Sequence, residues 1–287
     1  MSTQITTAFV QQYKANVQHL VQQKGSRLRD AVTVEMVRGE SGFWDQIGAG
    51  TAVKRTARHA DTPFTETPHA RRYWSLDDYE YADLVDNQDK VRMLIDPTSE
   101  YAIAAANAMG RAMDDVIVAA ANGTAKTGKT GSTSVTLPSA QKVPLSASGL
   151  TLAKLLSAKE ILDAAENDPD EPRFIACPAK DITVLLNTTE IKSSDYNTVK
   201  ALAAGQIDTF LGFKFIRSQR TGLIVGGTDR ACLAWVKSGI KLEIAEDIVT
   251  DIGPRRDKSM AVQVYVRMSI GANRMQEESV VEIATTP

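Results

Sequence analysis

Cysteine, histidine and aromatic residues are all scarce in this chain of 287 residues, which holds two Cys, three His and 6% Phe, Trp and Tyr. Cys177 and Cys232 stand far apart with no CxxC or Cys/His spacing. That pattern argues against a structural zinc site and suits two buried thiols in a reducing compartment. His19, His59 and His69 have no third ligand or nucleophile beside them, whereas catalytic zinc usually takes three protein ligands. No G-x-S-x-G is present. An excess of charge of one sign is also missing. The net charge of −2 and the pI of about 6.0 exclude the broad basic surface that dominates nucleic-acid affinity. No run approaches the roughly 20 apolar residues of a membrane span. "MSTQITTAFVQQYKANV" lacks the basic start and apolar run of a secretory signal. No membrane partner, cofactor or metal is expected.

What is present is ordinary globular composition, 43% hydrophobic and 24% charged, enough for one elaborate domain or two. Apolar residues at helical spacing predict a short amphipathic helix or an ordered arm at residues 5–24. "AVTVEMV" from Ala31 reads as a strand, and the pattern then fails from Gly48 to Trp74. So long an irregular stretch usually serves function or partner contact.

The clearest element is a helix over 97–122. Asp96 suits its N-cap, Pro97 its first turn, and Asn122-Gly123 its stop. Glu100, Asn107, Arg111 and Asp114 are expected on its solvent face. Residues 124–150 read as loop or weak hairpin, and "LTLAKLLSAKEILDAAEND", residues 150–168, as a second amphipathic helix. "PRFIACP" reads as a buried strand, "AKDITVLLNTTE" as helical, "FLGFKFIRS" as a strand and "ACLAWVKSGIKLEIAED" as a strand pair. "AVQVYVRMSI" alternates, with Val262, Val264, Val266, Met268 and Ile270 on one side, and "ESVVEIAT" is a closing strand. The class is α+β.

"GTAKTGKTG" matches the phosphate-loop pattern through Gly123, Gly128, Lys129 and Thr130. A working phosphate loop lies between a buried strand and the N-terminus of a helix. Here a helix precedes it and two prolines, Pro138 and Pro144, follow, so the match reads as accidental and the chain as no enzyme. Charge is sorted instead. Residues 52–72 carry Lys54, Arg55, Arg58, Arg71 and Arg72 against Asp61 and Glu66. Residues 77–100 carry eight carboxylates, among them Asp83, Asp86 and Glu100, against Lys90 and Arg92. Two solvated faces would give this pattern, and so would a basic loop docking on the acidic strip of another copy.

From about Asp45 onward the chain resembles the major capsid proteins of tailed bacteriophages, which share the Johnson fold. The stretches that carry the resemblance are "RHADTPFTETPHARR", "DYEYADLVDNQDKVRMLIDPTSEYAIAAANAMGRAMDDVIVAAANGTAKTG" and, more weakly, "FLGFKFIRS". The resemblance implies an N-arm and lead-in strand at 1–47 and an E-loop at 48–78. It implies a P-domain at 79–150 with spine helix 97–122, an A-domain at 151–228 and P-domain return strands at 229–287. It implies hexamers and pentamers forming an icosahedral shell around double-stranded DNA contacted non-specifically, in a virion assembled in the host cytoplasm. Portal and decoration proteins would be partners. The recognisable fold starts near residue 31, which leads to the expectation of a separate scaffolding protein. On this reading Lys54, Arg55, Arg58, His59, Arg71 and Arg72 would face Asp83, Asp86 and Glu100 of neighbours. Lys54 and Asn273 are the residues available for the cross-link some relatives make. An encapsulin-like compartment is the alternative within the fold, and a nucleotide-binding protein the alternative outside it.

Overall fold

The computed structural model describes residues 22–59, 61–62, 64–86, 98–146, 149–187, 209–221 and 230–286. The expected helix within 5–24 and the start of the helix at Asp96-Pro97 lie outside them. In chain order the strands are β1 (Thr33–Met36), β2 (Ser41–Ile47), β3 (His69–Ser75), β4 (Asp77–Val85), β5 (Ala125–Thr127), β6 (Thr133–Val135) and β7 (Lys142–Val143). They continue as β8 (Arg173–Cys177), β9 (Thr209–Phe210), β10 (Phe213–Arg217), β11 (Arg230–Val236), β12 (Ile240–Arg255), β13 (Ala261–Arg274) and β14 (Val280–Thr285). The helices are α1 (Thr98–Asn122), α2 (Leu152–Ala164) and α3 (Ala179–Asn187).

The chain divides into two compact units. One takes 77–113, 246–270 and the described part of 1–26; the other takes 27–76, 114–245 and 271–286. Helix α1 and strands β12 and β13 run from one into the other.

In the larger unit six strands form a sheet in the order β7-β14-β11-β8-β10-β9. β8, "RFIAC", is buried along its whole length, as an interior strand with both faces covered must be. It runs parallel to β10 and antiparallel to β11. Leu155, Ala158 and Leu162 of α2, with Ile182 and Leu185 of α3, join Ile175, Phe213, Ala234 and Ile283 in one apolar core. Thr151 caps α2 through its hydroxyl, which accepts from Lys154 N. The expected pair over 231–247 is two strands, but they are not partners. β11 belongs to the six-stranded sheet, and β12 pairs in parallel with β1 from Thr33↔Lys241 to Met36↔Ile244. The chain changes sheets at Lys237–Gly239, where a Cβ on Gly239 would lie 2.7 Å from Ser279 Cβ.

In the smaller unit β4 runs antiparallel to β13 from Asp77↔Ile270 to Val85↔Val262. Val264, Val266, Met268 and Ile270 are buried, as the alternation requires. α1 is 25 residues, about 37 Å at 1.5 Å per residue. Its polar residues correct the expected face. Asn107 and Asp114 are buried and hold the incoming chain, Asn107 Oδ1 accepting from Gly25 N at 3.1 Å. Within the larger unit Asp114 Oδ1 accepts from the backbone N–H of Arg27 and Leu28, each at 3.1 Å. Gly110 lies against Gly25, where a Cβ would sit 2.4 Å from the carbonyl carbon. These polar and small residues make a docking track for an extended segment.

Candidate assembly surface

β2 and β3 form a regular hairpin from Ser41↔Ser75 to Ile47↔His69, closed by Gly48 N donating to Pro68 O at 2.8 Å. The irregular stretch is therefore narrower than the sequence implied, because residues 69–75 are laddered. Between the strands, every described residue of 48–68 is exposed, Phe64 at 99% and Val53 at 59%. Lys54, Arg55, Arg58 and His59 all ride on this loop. Arg55 Nε donates to Ala57 O at 3.0 Å, and His59 takes a left-handed turn at φ 59°.

The root of the hairpin is fixed by residues that alternate inward. Trp44 Nε1 donates to Glu243 Oε1 at 2.9 Å, and Lys241 Nζ sits 4.2 Å from the Trp44 ring centroid. Gln46 Nε2 donates to Met275 O at 2.9 Å, and Asn273 Nδ2 to Tyr73 O at 2.8 Å. Glu243 is 0% exposed. Burial, opposed by the Trp44 hydrogen bond, raises its pKa to about 7. The loop is thus a free tip on a locked base.

Arg71 and Arg72 point to opposite faces of β3, as neighbours on a strand must. Arg71 is exposed and lies across from Asp45, with Nε 2.5 Å from Oδ1. Arg72 is 7% exposed, and its Nη2 donates to Glu277 Oε2 at 2.5 Å. Arg274, fully buried beside it, donates to the carbonyls of Ala121, Gly123 and Val135 and lies 3.7 Å from Glu277 Oε1. Burial lowers the Arg274 pKa, the Glu277 carboxylate opposes that shift and Arg72 reinforces it. Arg72 therefore corrects the expected set: it belongs to the interior of its own subunit and leaves the exposed cations. Asn273, 6% exposed and holding Tyr73, is likewise structural, so Lys54 has no accessible partner amide there.

The acidic residues stand on one unit. Asp83 is half-buried on β4 with Oδ1 accepting from Leu84 N at 2.8 Å; Asp86 is exposed just beyond; Glu100 is half-buried in the first turn of α1.

The phosphate-loop match falls on a different geometry. Gly128 to Ser132 make the turn between β5 and β6, with φ +90° at Gly128, and no helix N-terminus follows. Thr130 Oγ1 lies 3.0 Å from Ser132 Oγ, and Lys129 points to solvent. Among the described residues no group of His, Cys, Asp and Glu is arranged to hold a metal. Cys177 and Cys232 are free and buried, and burial pushes the Cys232 thiol well up, with Cys177 and the buried Asp181 adding to the shift.

Among solved structures the chain is similar to the capsid of cyanophage P-SCSP1u, at 16% identity and TM-score 0.75, covering 100% of this chain and 95% of that one. It is similar to a structure of Mycobacterium phage Che8, at 16% identity and TM-score 0.68, covering 95% and 96%. The head of Helicobacter pylori bacteriophage KHP40 gives 10% identity and TM-score 0.73, covering 96% and 95%. At such identities these likenesses show the fold. No curated protein matches by sequence. The family model described as phage capsid protein matches residues 5–286. The chain therefore belongs to the phage capsid protein family: it is a structural capsid protein, not an enzyme, with the fold of phage head-shell subunits.

Proposed function

We propose that copies of this capsid protein are joined by the loop at residues 48–68, laid over a neighbouring subunit, within hexamers and pentamers that close around double-stranded DNA. One observation carries the reading. A loop of this length with every described residue exposed buries little in its own subunit, yet its root is anchored by buried polar pairs. A projecting element so built gains stability only from another copy. Phe64 and Val53 supply apolar contact, Lys54, Arg55 and Arg58 supply charge, and His59 a polar ring, facing Asp83, Asp86 and Glu100 of the neighbour. Arg71, satisfied by Asp45, plays a lesser part. Single exposed ion pairs contribute about 0–1 kcal/mol, and repetition over a closed shell turns that into register selection.

In this reading 1–47 is the N-arm and lead-in strand and 48–78 the E-loop. Residues 79–150 and 229–287 make the P-domain, and 151–228 the A-domain facing the capsomer centre. A scaffolding protein, a portal and a decoration protein are the partners that such a shell requires or accepts, and assembly takes place in the host cytoplasm. A near-neutral chain suits a wall that encloses DNA without gripping it.

The test is the variant Lys54→Glu, Arg55→Glu, Arg58→Glu. Folded subunits that no longer form shells support the loop contact; shells at the normal yield overturn it. Protein cargo in place of DNA inside the particles would favour a compartment.

A further inference from the structure

Cys177 and Cys232 are the two cysteines of the chain, and the assembly reading uses neither. They lie on β8 and β11, the central strands of the six-stranded sheet. The antiparallel register runs from Val236↔Arg173 to Leu233↔Ala176, and its next step sets Cys232 opposite Cys177. Lys237 N donates to Pro172 O at 3.1 Å, which makes Lys237↔Pro172 a hydrogen-bonded pair. Such pairs alternate with non-hydrogen-bonded ones along an antiparallel ladder, and the count from Lys237 places Cys232 and Cys177 on a non-hydrogen-bonded pair. The ladder bonds stop there because Pro178 has no N–H.

A non-hydrogen-bonded pair holds its opposed Cα atoms about 4.5 Å apart, the closer of the two antiparallel spacings. A disulfide needs Cα atoms about 4.4–6.8 Å apart and Cβ atoms that point the same way. The register meets the first condition and a shared face meets the second. Cys177 lies on the same face of β8 as Ile175, Cys232 on the same face of β11 as Ala234, and all four belong to the apolar core covered by α2 and α3. Both thiols are 0% exposed and lie within hydrogen-bond reach of each other. Cys232 Sγ also donates to Asp181 Oδ2 at 3.4 Å, an oxygen that accepts from Thr285 Oγ1 at 2.9 Å. Packing alone gives two thiols no reason to meet across one strand pair.

We propose that Cys177 and Cys232 are a modification site, a thiol pair that hydrogen peroxide converts into a stabilising disulfide within the subunit. One sulfur, as thiolate, attacks a peroxide oxygen and hydroxide leaves, giving a sulfenic acid. The second sulfur then attacks the first, forming the S–S bond and releasing water. Two electrons pass from sulfur to peroxide, and the two thiol protons end in two waters. Burial holds Cys232 as a thiol, so the pair stays reduced while the sheet is closed and reacts when the end of β8 opens. The bond closes a loop of about 55 residues and so restricts the unfolded chain. A particle leaving a reducing cytoplasm would acquire this staple outside the cell. That use rests on the shell reading; the chemistry belongs to the single subunit.

The test treats the purified full chain with hydrogen peroxide, unfolds it in guanidinium, alkylates it and maps its peptides by mass spectrometry. The expected product is a linked pair of peptides carrying Cys177 and Cys232, in a chain that stays monomeric on a non-reducing gel. Its thermal midpoint should rise by about 5–10 °C and fall back on reduction with a phosphine. Cys177→Ser, treated in the same way, should show no phosphine-reversible rise, which separates the staple from methionine oxidation. Because access limits the rate in the closed fold, the map is repeated on reduced chain refolded from urea in a glutathione redox buffer. Two alkylated thiols under both regimes overturn the proposal. So do sulfinic acids without a linked peptide, or a linked pair that leaves the midpoint unchanged. The result does not depend on shell formation, so failure of the shell reading and failure of this one are told apart.

Discussion

Arg72 donates to Glu277 across 205 residues of sequence, at 2.5 Å and with both side chains nearly buried. The pair welds the base of the projecting hairpin to the turn after β13. Removing one partner of a buried ion pair leaves an uncompensated charge, at a cost of roughly 3–5 kcal/mol. Glu277→Ala is therefore expected to lower the subunit's unfolding free energy by that amount. Arg71→Ala, which breaks only an exposed pair with Asp45, should change it by less than about 1 kcal/mol. Urea titrations of both variants check the contrast, and equal effects would contradict the assigned burial.

Glu243 makes the stability pH-dependent. Its folded pKa of about 7 lies above the ordinary 4.5, so the unfolded chain loses this proton first as pH rises. The group's contribution is full below about pH 4.5 and is lost as pH climbs through 7. By linkage the loss reaches roughly 3 kcal/mol above pH 7. Glu243→Gln keeps an acceptor for Trp44 and removes the titration. Its thermal midpoint should vary less between pH 5 and 8 than that of the unaltered chain, as scanning calorimetry across that range will show. An unchanged pH slope would place the titration elsewhere.

Gly110 is required by contact rather than by φ. A methyl there would meet the Gly25 backbone at 2.4 Å, which cannot rotate away as a side chain can. Gly110→Ala should destabilise by about 1–3 kcal/mol in spite of alanine's higher helix propensity. Protease should then cut more readily near residues 22–26, and limited proteolysis with mass spectrometry reads this directly.

Lys129 should be dispensable. The turn from β5 to β6 offers no helix N-terminus to a phosphate, so millimolar ATP should not raise the thermal midpoint, and Lys129→Ala should assemble normally. A shift with ATP that Lys129→Ala abolishes would revive the nucleotide reading.

The sequence exposed whatever depends on local periodicity. α1, α2 and the alternation of Val264, Val266, Met268 and Ile270 follow from spacing alone. β2 and β3 were hidden because "SGFWDQI" and "HARRYWS" pair with each other and carry polar residues on both faces, leaving little alternation to see. Asn107 and Asp114 looked solvated because a helix face that receives an extended chain needs polar acceptors for its N–H groups. Arg72 looked like its neighbour Arg71, and the partner that buries it lies at the far end of the chain. The exposure of Lys54, Arg55 and Arg58 was legible because a loop whose described residues are all exposed has little of its own subunit to hide them.

The measurement that bears most directly on assembly is electron microscopy of the purified, untagged protein, alone and with a candidate scaffolding protein. Closed icosahedral shells, lost in the Lys54→Glu, Arg55→Glu, Arg58→Glu variant while the subunit stays folded, are the expected result. A uniform monomer under every condition, or normal shells from that variant, would contradict it.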